Sequence, residues 1–195
     1  FNMLNIINVK KGELAVVTKR GEINTIVTAG RYIFWNPFVN ITHYLVDLAE
    51  TKIEPAIAEK LLNFYPQLVE KYCHYMQVGA NQAGLRFEDD LLVEILPPGT
   101  KRLYWQNNCK QHMQLIELTD DFQLSEQMVQ QLLQPKLRKK EVTGDSSVLI
   151  AQVPAYHVGV LKVNGKVEQL LNAGITAYWR FNREISVEIV DTRLQ

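Results

Sequence analysis

The stretch Val163–Trp179, VNGKVEQLLNAGITAYW, decides how this chain is read, because its pattern occurs a second time at Lys19–Trp35, KRGEINTIVTAGRYIFW. At a constant offset of 144 residues Val9 falls on Val153, Val16 on Val160, Gly21 on Gly165, Gly30 on Gly174, Trp35 on Trp179 and Val46-Asp47 on Val190-Asp191, with no gap. A weaker copy lies between them at an offset of 69, where Val78, Leu85, Asp90, Ile95-Leu96 and Gly99 fall on Val9, Val16, Gly21, Ile26-Val27 and Gly30. One inserted residue near Trp105 then brings Ile116-Glu117-Leu118 onto Val46-Asp47-Leu48. The chain reads as three versions of one unit, and a unit of about 45 residues is too small to hold a core of its own, so the copies are expected to bury surface against one another.

Each copy carries hairpin chemistry. In the third, the apolar run Val158–Val163 is followed by Asn164-Gly165 and a second run, Lys166–Leu171. An Asn-Gly pair between two such runs predicts a type I′ turn, which needs positive φ at both central residues. Arg20-Gly21 stands there in the first copy and Glu88-Asp89-Asp90 in the second, Asp being tolerant of the left-handed region. Ala29-Gly30, Pro98-Gly99 and Ala173-Gly174 then mark a second reversal, with Pro-Pro-Gly suited to a type II turn. An aromatic strand follows, and a last strand closes each unit at 41–48, 113–118 and 185–192. In the last of these, Ile185, Val187 and Ile189 alternate with Ser186, Glu188 and Val190 and predict one buried face.

Between copies the apolar period changes to three and four. Ile57, Leu61, Leu62, Phe64, Leu68 and Val69 predict an amphipathic helix over 53–71. Leu124, Met128, Leu132, Leu133 and Leu137 predict another over 122–140, with Ser125 as its cap. Pro66 and Pro135 should end or kink these helices, and the spacers share the sequences LLNFYPQL and LLQPKL. The fold class expected is α+β, mainly β: three tandem small antiparallel β-modules (4–49, 74–119 and 147–195) linked by amphipathic helices in 50–73 and 120–146.

Composition narrows the function classes. The chain has 195 residues, 47% hydrophobic, with 21 basic against 21 acidic side chains. A zero net charge argues against a general nucleic-acid binder. Apolar runs fall short of the roughly 18 residues a membrane span needs, and there is no signal-peptide pattern. Cys73 and Cys109 are too few for a disulfide-stapled domain, so reduced thiols in a cytosolic setting are expected. The chain starts Phe1-Asn2 before Met3 and stops at Gln195 without a turn signal, and is read as part of a longer protein.

Candidate chemistry is sparse. Cys73-His74 and Cys109 with His112 have poor spacing for zinc, since neighbouring side chains on a strand diverge, and no metal or cofactor is expected. His43 and His112 are read as one shared strand position. Asp47, Glu117 and Asp191 recur at the end of the closing strand and are read as turn or cap contacts, not catalytic acids. Gly21, Gly30, Gly99, Gly165 and Gly174 are turn glycines. Tyr32, Phe34, Trp35, Tyr104, Trp105, Tyr178, Trp179 and Phe181 are read as core. Lys136, Arg138, Lys139 and Lys140 form the one dense basic patch, able to meet an anionic surface. No phosphate loop, nucleophile elbow, HExxH or dinucleotide fingerprint occurs, so no enzyme is expected.

The third copy, VPAYHVGVLKVNGKVEQLLNAGITAYWRF followed by VEIVDTRLQ, resembles the opening of the stomatin, prohibitin and flotillin (SPFH, or band 7) domain. The whole arrangement is similar to the N-terminal region of bacterial slipin-family proteins. That resemblance implies a non-enzymatic scaffold segment of a membrane-associated protein, contributing to oligomeric assembly or membrane microdomains. The partners implied are other copies or other SPFH subunits, with membrane lipids or a membrane protease engaged through the full-length protein. The place implied is cytoplasmic, peripheral to the inner membrane. Stomatin-like members carry an apolar membrane hairpin ahead of this domain, and this chain has no such stretch. The alternative is a soluble peptide- or protein-binding β-repeat module acting through an exposed strand edge or aromatic face.

Overall fold

The computed structural model describes residues 4–134 and 141–193, and it is rich in β-structure, with several small antiparallel sheets. β1 (Leu4–Val9) pairs with β4 (Gly30–Trp35) as a two-stranded ribbon, while β2 (Glu13–Lys19) lies between β3 (Glu22–Val27) and β5 (Ile41–Asp47). The same order of pairing recurs twice. β6 (Cys73–Gln77) pairs with β9 (Lys101–Trp105), and β7 (Gln82–Glu88) lies between β8 (Leu91–Leu96) and β10 (Gln111–Glu117). β11 (Val148–Val153) pairs with β14 (Gly174–Trp179), and β12 (His157–Val163) lies between β13 (Lys166–Leu171) and β15 (Ile185–Asp191).

The turns behave as their residues require. Arg20 and Gly21 have φ of 53° and 82°, Asp89 and Asp90 48° and 63°, and Asn164 and Gly165 51° and 80°. Positive φ at both central positions matches the twist of the flanking strands. Each hairpin has an irregularity in register close to the turn, at Val17/Thr18, Arg86/Phe87 and Leu161/Lys162. Gly99, at φ 74°, completes the turn in which the Thr100 N–H donates to Pro97 O. A third backbone contact also recurs: the N–H of Leu48, Leu118 and Thr192, just past the closing strands, donates to the carbonyl of Gly12, Asn81 and Tyr156, each at 2.9 Å.

Helix occupies less of the spacers than the apolar period predicts. The first spacer holds α1 (Pro55–Phe64) and α2 (Pro66–Tyr72), and Pro66 opens the second helix because its fixed φ suits a first helical position. α3 (Glu126–Leu133) starts where Ser125 Oγ accepts the Met128 N–H at 3.3 Å, as the cap reading expects. Phe122–Leu124 is instead extended: the Leu124 N–H donates to Ala177 O, and Phe122 O accepts the Trp179 N–H. Pro135 and Leu137 lie outside the described residues.

The chain divides into two compact units, Phe1–Gln77 with Lys101–Cys109, and Val78–Thr100 with Lys110–Gln195. In the first, one face of the β3–β2–β5 sheet (Ala15, Val17, Ile41) packs with Ile7 and Val9 of the β1–β4 ribbon. The other face (Leu14, Val16, Ile26) packs with Ile53, with Ala58 and Leu61 of α1, and with Cys73, Leu103 and Trp105 of the β6–β9 ribbon. The second unit repeats this logic. Ala83, Leu85, Phe87 and Ile95 of the β8–β7–β10 sheet meet Leu124, Met128 and Val129, together with Val148, Ala177 and Trp179 of the β11–β14 ribbon. The ribbon's opposite face, through Ala151, Val153 and Tyr178, meets Leu161, Leu171 and Ile185 of the last sheet. β15 departs from the expected alternation: Ile185 is buried and Val187 half-buried, but Ile189 is exposed, because the core shared with the ribbon ends at Val187.

One charged pair interrupts this apolar pattern. Arg86 and Glu94 face each other across β7 and β8, both buried, with Arg86 Nε donating to Glu94 Oε2 at 2.9 Å and Nη1 to Glu88 Oε1 at 2.9 Å. Val17 and Leu161 occupy the corresponding register positions opposite Thr25 and Gln169. Removing one member strands a buried charge, so Glu94→Ala should lower unfolding free energy by about 3 kcal/mol, and the Arg86→Leu/Glu94→Leu double variant by less. Urea unfolding of both variants checks this. Asp90 stands in the left-handed region where the other two hairpins have glycine, so Asp90→Gly should raise the urea midpoint, by about 1 kcal/mol of stability.

Candidate interaction surface

The recurring acids serve local structure. Asp47 Oδ1 accepts the Ala49 N–H and Asp191 Oδ1 the Arg193 N–H, both at 2.9 Å, so each carboxylate caps the turn that ends its strand. Glu117, one methylene longer, accepts instead from Gln82 Nε2 across the strand pair. The Arg193 guanidinium, 2.6 Å from Asp191 Oδ2, holds the Asp191 carboxyl down at about 2, with His157 Nε2 a further neighbour at 3.8 Å. Gly21 and Gly165 complete hairpin turns, Gly99 precedes β9, and Gly30 and Gly174 open β4 and β14.

The thiols and imidazoles are dispersed. Cys73 is buried, its thiol pushed up to about 12 by desolvation, while Cys109 is half-buried, and neither is in a disulfide. Burial holds His74 below the usual imidazole value, and His112 stacks on Phe87 at 4.8 Å between ring centroids. His43 and His112 are not equivalent: His43 pairs with Val17, whereas His112 sits in the register position of Thr42 and Ser186. The residue inserted after Trp105 causes that shift, and it turns the two imidazoles to opposite faces of their sheets. No group of three or more His, Cys, Asp or Glu able to hold a metal occurs among the described residues. Lys136, Arg138, Lys139 and Lys140 lie outside the described residues. No helix among the described residues is long and apolar enough to cross a membrane.

The aromatic reading holds for most positions and fails at one. Tyr104, Trp105, Tyr178 and Trp179 are buried, and Tyr32, Phe34 and Phe181 are partly buried, but Trp35 is 69% exposed. Its counterparts Trp105 and Trp179 owe their burial to the segment that precedes their ribbon. Thr51–Ile53 lies along β9, with the Ile53 N–H donating to Leu103 O and the Trp105 N–H to Thr51 O, and α1 then packs over the ribbon. Phe122–Leu124 and α3 do the same for β14. The edge of β4 away from β1 pairs with no strand among the described residues, and Leu4 and Ile33 beside Trp35 are 54% and 60% exposed.

A second apolar face lies open on the last sheet. Val158 pairs with Val190, Val160 with Leu170, and Lys162 with Val167, which places these apolar side chains on one side of β13, β12 and β15. Val167 and Leu170 are 62% and 65% exposed, and Val190 is exposed as well. The matching residues of the first sheet, Leu14, Val16, Ile23, Ile26 and Val46, all belong to or pack on a core, as do Ala83, Leu85, Leu92, Ile95 and Ile116 of the second. Strand periodicity marks all three faces as apolar alike. What it does not record is that the face pointing away from a ribbon is covered only by the spacer and ribbon that follow.

No protein-family model, curated protein or solved structure matches the chain. The thiols give a direct check on the burial pattern. Because the thiolate is the nucleophile, Cys73 should resist iodoacetamide at pH 8 while Cys109 reacts, giving one adduct by mass spectrometry in the folded chain and two in urea.

Proposed function

We propose that this chain is a non-enzymatic scaffold segment built from three versions of one β-unit linked by amphipathic helices, similar to the N-terminal region of stomatin- and slipin-like SPFH proteins. The resemblance of the third copy, the recurring order of strand pairing and the recurring carbonyl contact past each closing strand support the repeat. In this reading the partners are other copies or other SPFH subunits, with membrane lipids or a membrane protease reached through the full-length protein.

The observation that carries the scaffold reading is the open face of the last sheet, Val158, Val160, Val167, Leu170 and Val190. Its two counterparts in the chain belong to or pack on a core, whereas Val167, Leu170 and Val190 here are exposed, and an exposed apolar patch of this kind is expected at an interaction site. A peptide-binding reading is favoured by a different observation, the unpaired β4 edge beside exposed Ile33 and Trp35. Light scattering over a concentration series tests the scaffold. The native mass should rise above the 22.5 kDa of one chain, and a Val167→Glu/Leu170→Glu variant should return it to one chain. A mass of one chain at every concentration removes self-assembly through this face.

A further inference from the structure

The strand and helix that close β9 also leave a cleft against it, and the charge in that cleft is not what the fold requires. α1 and the extended Thr51–Ile53 segment form one side and β9 the other, with a volume of about 310 Å³. Small-molecule sites span about 300–1,000 Å³ and are mostly apolar with a few placed polar groups. The apolar part here is Ile53, Ala58, Leu62 and Leu103. Ile53, Ala58 and Leu103 are buried. Leu62, one turn beyond Ala58 on the same helix stripe, is 37% exposed and carries the apolar wall out towards water.

The polar part is basic. Lys52, Lys101 and Arg102 line the cleft against one carboxylate, Glu59. Lys52 and Lys101 are exposed and stand in no ion pair among the described residues. The matching arrangement at β14 shows that this charge is not structural. Lys52 and Gln123 bridge to equivalent tyrosines, Tyr104 and Tyr178, and by register Lys101 and Arg102 correspond to Ile175 and Thr176. None of the three positions is charged there, yet α3 packs on β14 as α1 packs on β9. A second cleft, of about 260 Å³, shares Lys52 and Ile53 with the first but is lined by Asp47, Glu50 and Glu54. Carboxylates outnumber the cation there, so an anion is directed to the first cleft and away from the second.

We propose that the cleft between α1 and β9 binds a small organic carboxylate with an apolar stem, the stem against Ala58, Leu62 and Leu103 and the head group among Lys52, Lys101 and Arg102. The guanidinium and ammonium groups offer charge-assisted hydrogen bonds to the carboxylate oxygens. Glu59 favours a monoanion, because its repulsion rises with the charge of the ligand. The site goes beyond the scaffold and peptide-binding readings and does not depend on either, since neither the last sheet nor the β4 edge contributes to its lining.

The test titrates the whole chain with sodium hexanoate and follows the methyl resonances of Ala58 and Leu62. The indole N–H of Trp105, a residue that lines the acidic cleft and not this one, is the control. Both methyl signals should move saturably at millimolar hexanoate while the indole signal stays fixed. Acetate, which has no stem, should move neither. 1-Hexanol should bind more weakly by about tenfold or more, as should hexanoate to a Lys52→Gln/Lys101→Gln chain, from the loss of hydrogen bonds to charged groups. Both substitutions fall on exposed positions, and glutamine already stands at the equivalent of Lys52, so the fold is kept. Leu62→Glu, on the exposed wall, should abolish binding by setting a carboxylate beside the stem. The proposal is overturned if no saturable shift occurs, if acetate or 1-hexanol binds as well as hexanoate, or if either variant binds hexanoate as the parent chain does. Tighter binding of hexyl phosphate than of hexanoate also overturns it, by making a phosphate the head group.

Discussion

A three-stranded sheet with apolar side chains on both faces presents two surfaces to be covered, and much of this structure follows from how they are closed. A two-stranded ribbon is marginally stable at best by itself, and full burial of a Val, Leu or Ile side chain contributes about 1.5–3 kcal/mol. In the first unit one face of the β3–β2–β5 sheet is closed by the ribbon of β1 and β4. The other is closed by α1 and the ribbon of β6 and β9. In the second unit the ribbon of β11 and β14 is itself sandwiched, so its strands too carry apolar residues on both sides. That is why its aromatic strand reads as a near-continuous run: Tyr178 serves one core and Trp179 the other.

This mode of covering explains why helices sit where they do. α1 and α3 have only 10 and 8 residues, too short to persist alone in water. They are held by packing and by the extended tripeptides ahead of them, whose backbone hydrogen bonds to β9 and β14 fix where each helix starts. The tripeptide and helix act together, the first supplying direction through hydrogen bonds and the second supplying area. The same arrangement leaves two surfaces uncovered among the described residues, the β4 edge with its flanking apolar side chains and the outer face of the last sheet. Scattered exposed apolar residues are ordinary on any protein, but these two surfaces have equivalents elsewhere in the same chain that are closed.

The Arg86–Glu94 pair shows where sequence pattern and packing part company. Arg86 looks like a solvent-facing strand residue, yet it is buried, and its charge is satisfied by Glu94 across the ladder and Glu88 beside it. Lys162, another basic strand residue, stands one register position on and so on the opposite face of its sheet, and its ion pair with Glu188 at 3.0 Å stands largely in water. The difference is made by the residues packed around the pair, and water screens the exposed one while the buried one depends on its partners.

The sequence by itself determined the local geometry. Arg20-Gly21, Asp89-Asp90 and Asn164-Gly165 demanded tight hairpins, Ser125 a helix start and Pro66 a break, because each acts through its own backbone or a neighbour three residues away. Asp47 and Asp191 were legible as turn caps for the same reason. Tertiary structure alone decided which apolar faces are covered. Trp35, Trp105 and Trp179 occupy the same register position, and among the described residues the second and third are closed by a strand and helix from the preceding spacer while Trp35 is exposed. The single-residue shift that separates His43 from His112 was likewise invisible to pattern matching, since a one-residue change in strand register sends a side chain to the opposite face. Burial depends on residues distant in the chain, and a periodic pattern records that a face is apolar without recording what lies against it.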